Sequence, residues 1–129
     1  MTTAILCTTL LGLLLFGLGL GVSLTRGNTK TNFGYTPDPT DRLYKMIRAH
    51  GNTTEYAPML AVLMLLIGSR TPSLWMLWVM GIATVSRYLL VAGILLSPTL
   101  EKPHPFRFAG ALGTYVCGVV LCVAVFLTR

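Results

Sequence analysis

The architecture turns on Leu43-Tyr44-Lys45-Met46-Ile47-Arg48-Ala49-His50-Gly51-Asn52-Thr53-Thr54-Glu55-Tyr56-Ala57-Pro58 and the apolar residues 59–68 that follow. Only residues 56–68 are continuously apolar. At 1.5 Å per residue they cover about 20 Å, short of the roughly 30 Å hydrocarbon core of a bilayer. Upstream, Leu43, Met46 and Ile47 continue the apolar side at helical spacing, interleaved with polar residues. Residues 43–68 therefore read as one long helix, apolar in its second half and polar-striped in its first. Counting this helix makes the chain a four-span protein.

The other three spans are plain. Residues 4–24 contain no charge, residues 73–96 only Arg87, and residues 108–127 none. No Lys or Arg precedes the first run and no small-x-small site follows it, so it reads as a span and not as a cleaved signal. Of the 129 residues, 53% are hydrophobic and 11% charged. A soluble domain carries about 25% charge, so a water-soluble surface is excluded. The net charge of +6 sits mainly in short segments between apolar runs, which is a membrane pattern and not a nucleic-acid one. Cys7, Cys117 and Cys122 all lie in apolar runs and imply neither a disulfide framework nor a metal site. The reading is a single all-α domain over residues 1–129, an integral membrane four-helix bundle with helices at about 4–24, 43–68, 73–96 and 106–127.

The punctuation agrees. Pro39-Thr40-Asp41 is a helix start, Thr71-Pro72 offers a cap and a first-turn proline, Ser97-Pro98 ends the third helix and Pro103-His104-Pro105 opens the fourth. Arg26, Lys30, Arg42, Lys45 and Arg48 surround the first loop, and Lys102 and Arg107 the third. Only Arg70 and Arg129 face the other side. The positive-inside rule then places the first and third loops in the cytoplasm and both termini opposite, with Trp75 and Trp78 in the outer aromatic belt. Gly17, Gly19 and Gly21, and separately Gly110, Thr114 and Gly118, offer small surfaces for close helix contact.

A charge inside a span costs about 2.5–3.5 kcal/mol on insertion scales, so Arg48, Glu55 and Arg87 each need a reason. At 100° per residue, Tyr44, Arg48, Asn52, Glu55 and Met59 fall within about 80° on one face of the second helix. Arg48 and Glu55 are expected to pair around Asn52, and Arg87 to pair with Glu55 or to join Arg48 in one basic pocket. Read as a structural stitch, this is a salt bridge. Read as a site, it suits a zwitterionic or anionic molecule: Arg offers a fork to a carboxylate, Glu accepts an amine, and Asn reads an amide. Arg107 sits in the first turn of the fourth helix, where a cation is disfavoured by the dipole. Together with that helix N-terminus it can hold an anion such as a thiolate.

Arg48-Ala49-His50-Gly51-Asn52-Thr53-Thr54-Glu55-Tyr56-Ala57-Pro58 resembles the R-A-x-x-N-x-x-E-x-x-P signature of the MAPEG family, the membrane-associated proteins of eicosanoid and glutathione metabolism, of microsomal glutathione transferase type. The likeness extends to the length, the basic first loop, the Arg of the third helix and Pro105-Phe106-Arg107. It implies a homotrimer with sites between adjacent subunits. It implies glutathione as co-substrate, held by Arg26, Arg48, Asn52, Glu55, Tyr56, Arg87 and Tyr88, with Arg107 as the catalytic residue that stabilises the thiolate.

The expected function is an integral-membrane glutathione transferase or a glutathione peroxidase of the same kind. It would act on lipophilic small molecules or lipid hydroperoxides arriving through the membrane lipid, in a detoxification role, with no metal and no nucleic-acid partner. The alternative is a non-catalytic lipid-binding or scaffolding MAPEG protein. Leu90, Val91, Ala92 and Ile94 speak for it, because several catalytic members carry a Tyr or His one or two turns after the third-helix Arg. Retention of Arg48 and Glu55 speaks for catalysis. A proton-coupled exporter would need an ionisable residue deep in a span, and the first helix has none.

Overall fold

A computed structural model describes residues 1–128. It contains four α-helices: α1 (Thr2–Thr29), α2 (Arg42–Gly68), α3 (Leu74–Leu96) and α4 (Pro105–Leu127). α1 packs along α2 and α3 along α4, and α2 and α3 join the two pairs. Among the described residues the backbones of α1 and α4 do not come close. Arg129, half of the expected outer-side charge, lies outside the described residues.

The helix ends show which local signals mattered. α1 runs five residues beyond the charge-free run ending at 24, and within that extension the hydroxyls of Thr25 and Thr29 bond back to the carbonyls of Gly21 and Thr25. Lys30, with a left-handed φ of 52°, stops it. Arg26 therefore belongs to the last helical turn and not to the loop, where a cation suits the negative end of the dipole. Asp41 caps α2 by accepting the Tyr44 N–H at 2.8 Å. α3 starts where the expected span 73–96 has it, but its cap is Ser73 and not Thr71: residues 71–73 stay outside the helix and the Ser73 carbonyl accepts the first α3 amides, Met76 and Leu77. α4 begins at Pro105, and His104 is its cap, with Nδ1 accepting from the Phe106 N–H at 3.2 Å.

One end of the bundle is tied across its loops. Lys45 Nζ donates to the carbonyls of Ser97 (2.8 Å) and Pro98 (3.0 Å), two acceptors at the C-terminus of α3. The Leu100 N–H donates to the Pro39 carbonyl at 3.0 Å, joining the third loop to the first.

Glycines set the α3–α4 crossing. A Cβ on Gly110 would stand 2.5 Å from Leu90 N, one on Gly113 would collide with Ser86 Oγ, and one on Gly93 would lie 2.6 Å from Arg107 N. Close backbone approach is the main source of helix adhesion in lipid, where burying apolar surface gains little. In α1, Gly19 meets His50 and Gly21 meets Met46, whereas nothing approaches Gly17 within the protomer.

The core lies in two clusters, one about Leu11, Met64, Met80 and Leu121, the other about Leu18, Ala49, Leu90 and Ile94. Outside, Phe16, Trp78, Phe108 and Val119 are all exposed. α1, α3 and α4 are each long and apolar enough to cross a membrane, and α2 with its polar half is not among them. The outward apolar rows mark a membrane protein.

Candidate functional site

The polar residues of α2 meet α3 through one side chain. Arg87 is 1% exposed, and its Nη2 donates to Asn52 Oδ1 at 2.8 Å and to Thr53 Oγ1 at 3.3 Å. Its guanidinium carbon lies 5.4 Å from the centre of the Tyr56 ring, within cation–π range. Nε and Nη1 are buried and have no hydrogen-bond partner among the described residues. A delocalised cation is thus held inside the bundle by one amide, one hydroxyl and one ring face, with no carboxylate in contact.

Arg48 and Glu55 do not form the expected ion pair. Both are exposed on the outward side of α2, and seven residues of helix separate them by about 10.5 Å along the axis. Arg87 pairs with neither and takes the neutral partners Asn52 and Thr53 instead, because it enters α2 from the α3 side.

Beyond Tyr56 an apolar groove of about 480 Å³ opens between α2 and α4, walled by Tyr56, Met59, Leu63, Tyr115, Val119 and Cys122, with Glu55 on its edge. The Tyr56 and Tyr115 rings stand 5.6 Å apart, tilted by 59°. Cys122 is free and exposed, while Cys7 and Cys117 are free and buried.

The other expected residues lie elsewhere. Arg26 Nη1 donates to the carbonyls of Gly34 (2.8 Å) and Thr31 (3.3 Å), folding the first loop back onto the end of α1. Tyr88, next to Arg87, leaves on another side of α3, and its hydroxyl donates to the Leu10 carbonyl of α1 at 2.8 Å. Arg107 Nη1 donates to the carbonyls of Leu100 (3.0 Å) and Lys102 (3.2 Å) in its own loop. The residue opposite Arg107 is Gly93, six positions and about 9 Å along α3 from Arg87. Within one protomer Arg107 and the α2 stripe therefore occupy separate places. Asn52, Tyr56 and Arg87 come together, Arg48 and Glu55 flank them on the surface, and Arg26, Tyr88 and Arg107 make other contacts.

Two participants escaped the sequence reading. Thr53 lies about 100° around α2 from Asn52, and its hydroxyl bonds the Ala49 carbonyl at 2.9 Å while still accepting from Arg87. Tyr115 follows Thr114 of the small-residue stripe and is the lone tyrosine of α4, a phenol in an otherwise apolar span.

The family model described as MAPEG family matches residues 4–127. No curated protein and no solved structure matches the chain.

Proposed function

The chain belongs to the MAPEG family, and from that premise we propose that it is an integral-membrane glutathione transferase working as a homotrimer, with lipid hydroperoxides as a second class of acceptor. The observation that carries this reading is the Asn52–Arg87–Tyr56 constellation opening onto an apolar groove. It sets polar groups suited to a charged tripeptide against a cavity suited to a lipophilic molecule. Arg48 and Glu55, exposed and unpaired, offer a guanidinium and a carboxylate to the ends of glutathione.

Chemistry needs the sulfur as thiolate. A free thiol titrates near 8.5. A depression of two units corresponds to about 2.7 kcal/mol of preferential thiolate stabilisation. Arg107, at the positive end of α4, is the residue proposed to supply it, and the released proton passes to water. The thiolate sulfur then bonds to the electrophilic carbon, whose leaving group or π-electron pair takes the displaced electrons. Rate comes from charge stabilisation and proximity, with no general base. Because Arg107 stands apart from the α2 stripe in one protomer, the reading requires Arg107 of a neighbouring copy to face that stripe.

Purified protein in detergent is titrated with glutathione at neutral pH while thiolate ultraviolet absorbance is followed, with Arg107→Ala as control. A saturating rise that disappears in the variant is expected. No rise from an intact oligomer would overturn the glutathione reading.

A further inference from the structure

We propose a site for one anionic phospholipid at the tied end of the bundle, between the start of α2 and the end of α3. A cavity of about 420 Å³ there is walled by Arg42, Lys45, Met46 and Leu95. Arg42, Lys45 and Met46 share one face of α2 at i, i+3 and i+4, and Leu95 belongs to the last turn of α3.

The polar part of this cavity is preorganised. Lys45 is fixed by the Ser97 and Pro98 carbonyls, which use two of its three donors, and it forms no ion pair with a carboxylate among the described residues. Arg42 is exposed and forms no hydrogen bond or ion pair with a described residue, so its whole fork is open. Of the acids at this end, Asp41 gives its carboxylate to the Tyr44 N–H at the cap, and Asp38, which lies within electrostatic reach of Lys45, gives its carboxylate to the Thr40 N–H and hydroxyl. Two cations thus flank a space large enough for a phosphate group, beside a helix N-terminus that also favours negative charge.

The apolar part fixes the ligand class. Met46 and Leu95 wall the same cavity, and Leu96, next in sequence, is 70% exposed. A soluble phosphate would use only the cationic half. A phospholipid uses both, with its headgroup phosphate on Arg42 and Lys45 and its first methylenes along Met46 and Leu95. The site lies where the first and third loops meet, at the polar boundary of the spans, which is the depth of a headgroup. Basic pockets between spans are a recurrent physical solution for anionic headgroups.

The test is native mass spectrometry of the whole protein, released from detergent containing equal phosphatidylglycerol and phosphatidylcholine of the same acyl chains. Phosphatidylglycerol adducts should dominate. Arg42→Gln should lower that preference about fivefold, the factor for about 1 kcal/mol per cation near a lipid surface. Arg42 makes no internal bond, so the variant is expected to fold. Lys30→Gln removes a charge from the same end of the chain outside the cavity and should keep the preference. No preference in the wild type, an equal loss in Lys30→Gln, or displacement of the lipid by millimolar inorganic phosphate would overturn the proposal.

Discussion

Gly93→Ala joins packing to chemistry in one substitution. The new methyl would lie 2.6 Å from Arg107 N, 2.8 Å from Arg107 Cγ and 3.0 Å from Phe106 C. Two of these atoms are backbone, so no side-chain rotation relieves the clash. Ordinary contact begins near 3.4 Å, and the start of α4 must retreat by about 0.8 Å. Overpacking of this kind costs about 1–3 kcal/mol. The gain of helix propensity from Gly to Ala returns about 1 kcal/mol, leaving a net loss of about 0–2 kcal/mol and a fall of a few degrees in the unfolding midpoint. Function should suffer more. Arg107 moves with α4, and a misplacement of about 1 Å at a catalytic group can lower a rate by about 10². Thermal unfolding in detergent and glutathione conjugation to a lipophilic electrophile are measured side by side, with Gly17→Ala, which meets no neighbour in the protomer, as the packing control. If Gly93→Ala conjugates as fast as wild type and melts no lower than Gly17→Ala, the tight crossing and the demand on Arg107 are both refuted.

Asn52→Asp should raise the unfolding midpoint by a few degrees while weakening glutathione binding. The desolvation of Arg87 is already incurred, and a carboxylate 2.8 Å away would make its bond charge-assisted; a lower midpoint would show that the desolvation of the new carboxylate outweighs that bond. In the first loop, the Thr40 N–H and then the Thr40 hydroxyl hold the Asp38 carboxyl below the usual carboxylate value. With the folded value depressed, this turn is fully stabilised above the unfolded value near 3.9 and loses that contribution as pH falls through the folded one. The Thr40 amide shift in micelles should report that low titration and lose it in Asp38→Asn. Mixing Arg107→Ala with Glu55→Gln subunits should restore conjugation that each lacks alone; a mixed oligomer as inactive as its components would place the whole site in one protomer.

Most of the fold was legible because lipid imposes simple rules: long charge-free runs, prolines at the breaks and caps at the starts. What misled was continuation past those runs. α1 continued through polar residues to Thr29, and the cap of α3 proved to be Ser73 and not Thr71. At the site, the α2 stripe could be read from its 100° spacing, which places side chains on a face without saying what stands opposite. The partner of Arg87 depended on the approach of α3, and that approach is fixed by Gly93, Gly110 and Gly113 against α4. Spacing along one helix carries no information about a crossing between two others. Hence Asn52 and Thr53, and not Glu55, receive the guanidinium.

The same geometry explains why the protomer looks unfinished. Arg48 and Glu55 are exposed on its surface and form no ion pair among the described residues. Two donor atoms of Arg87 are buried without partners among the described residues, although an unmet buried donor costs about 1–3 kcal/mol and more when charged. Arg107 rests on loop carbonyls about 9 Å further along α3 than Arg87. None of these groups can satisfy another across those distances. A neighbouring copy that brings an Arg107 to the α2 stripe, with an anionic tripeptide between them, would give the exposed acid and bases their partners and the buried guanidinium a nearby negative charge. In that arrangement assembly and substrate binding are thermodynamically linked, so glutathione should stabilise the oligomer by mass action as well as occupy it. Dissociation in detergent that becomes slower with added glutathione, but not with an analogue lacking both carboxylates, is the behaviour this linkage requires.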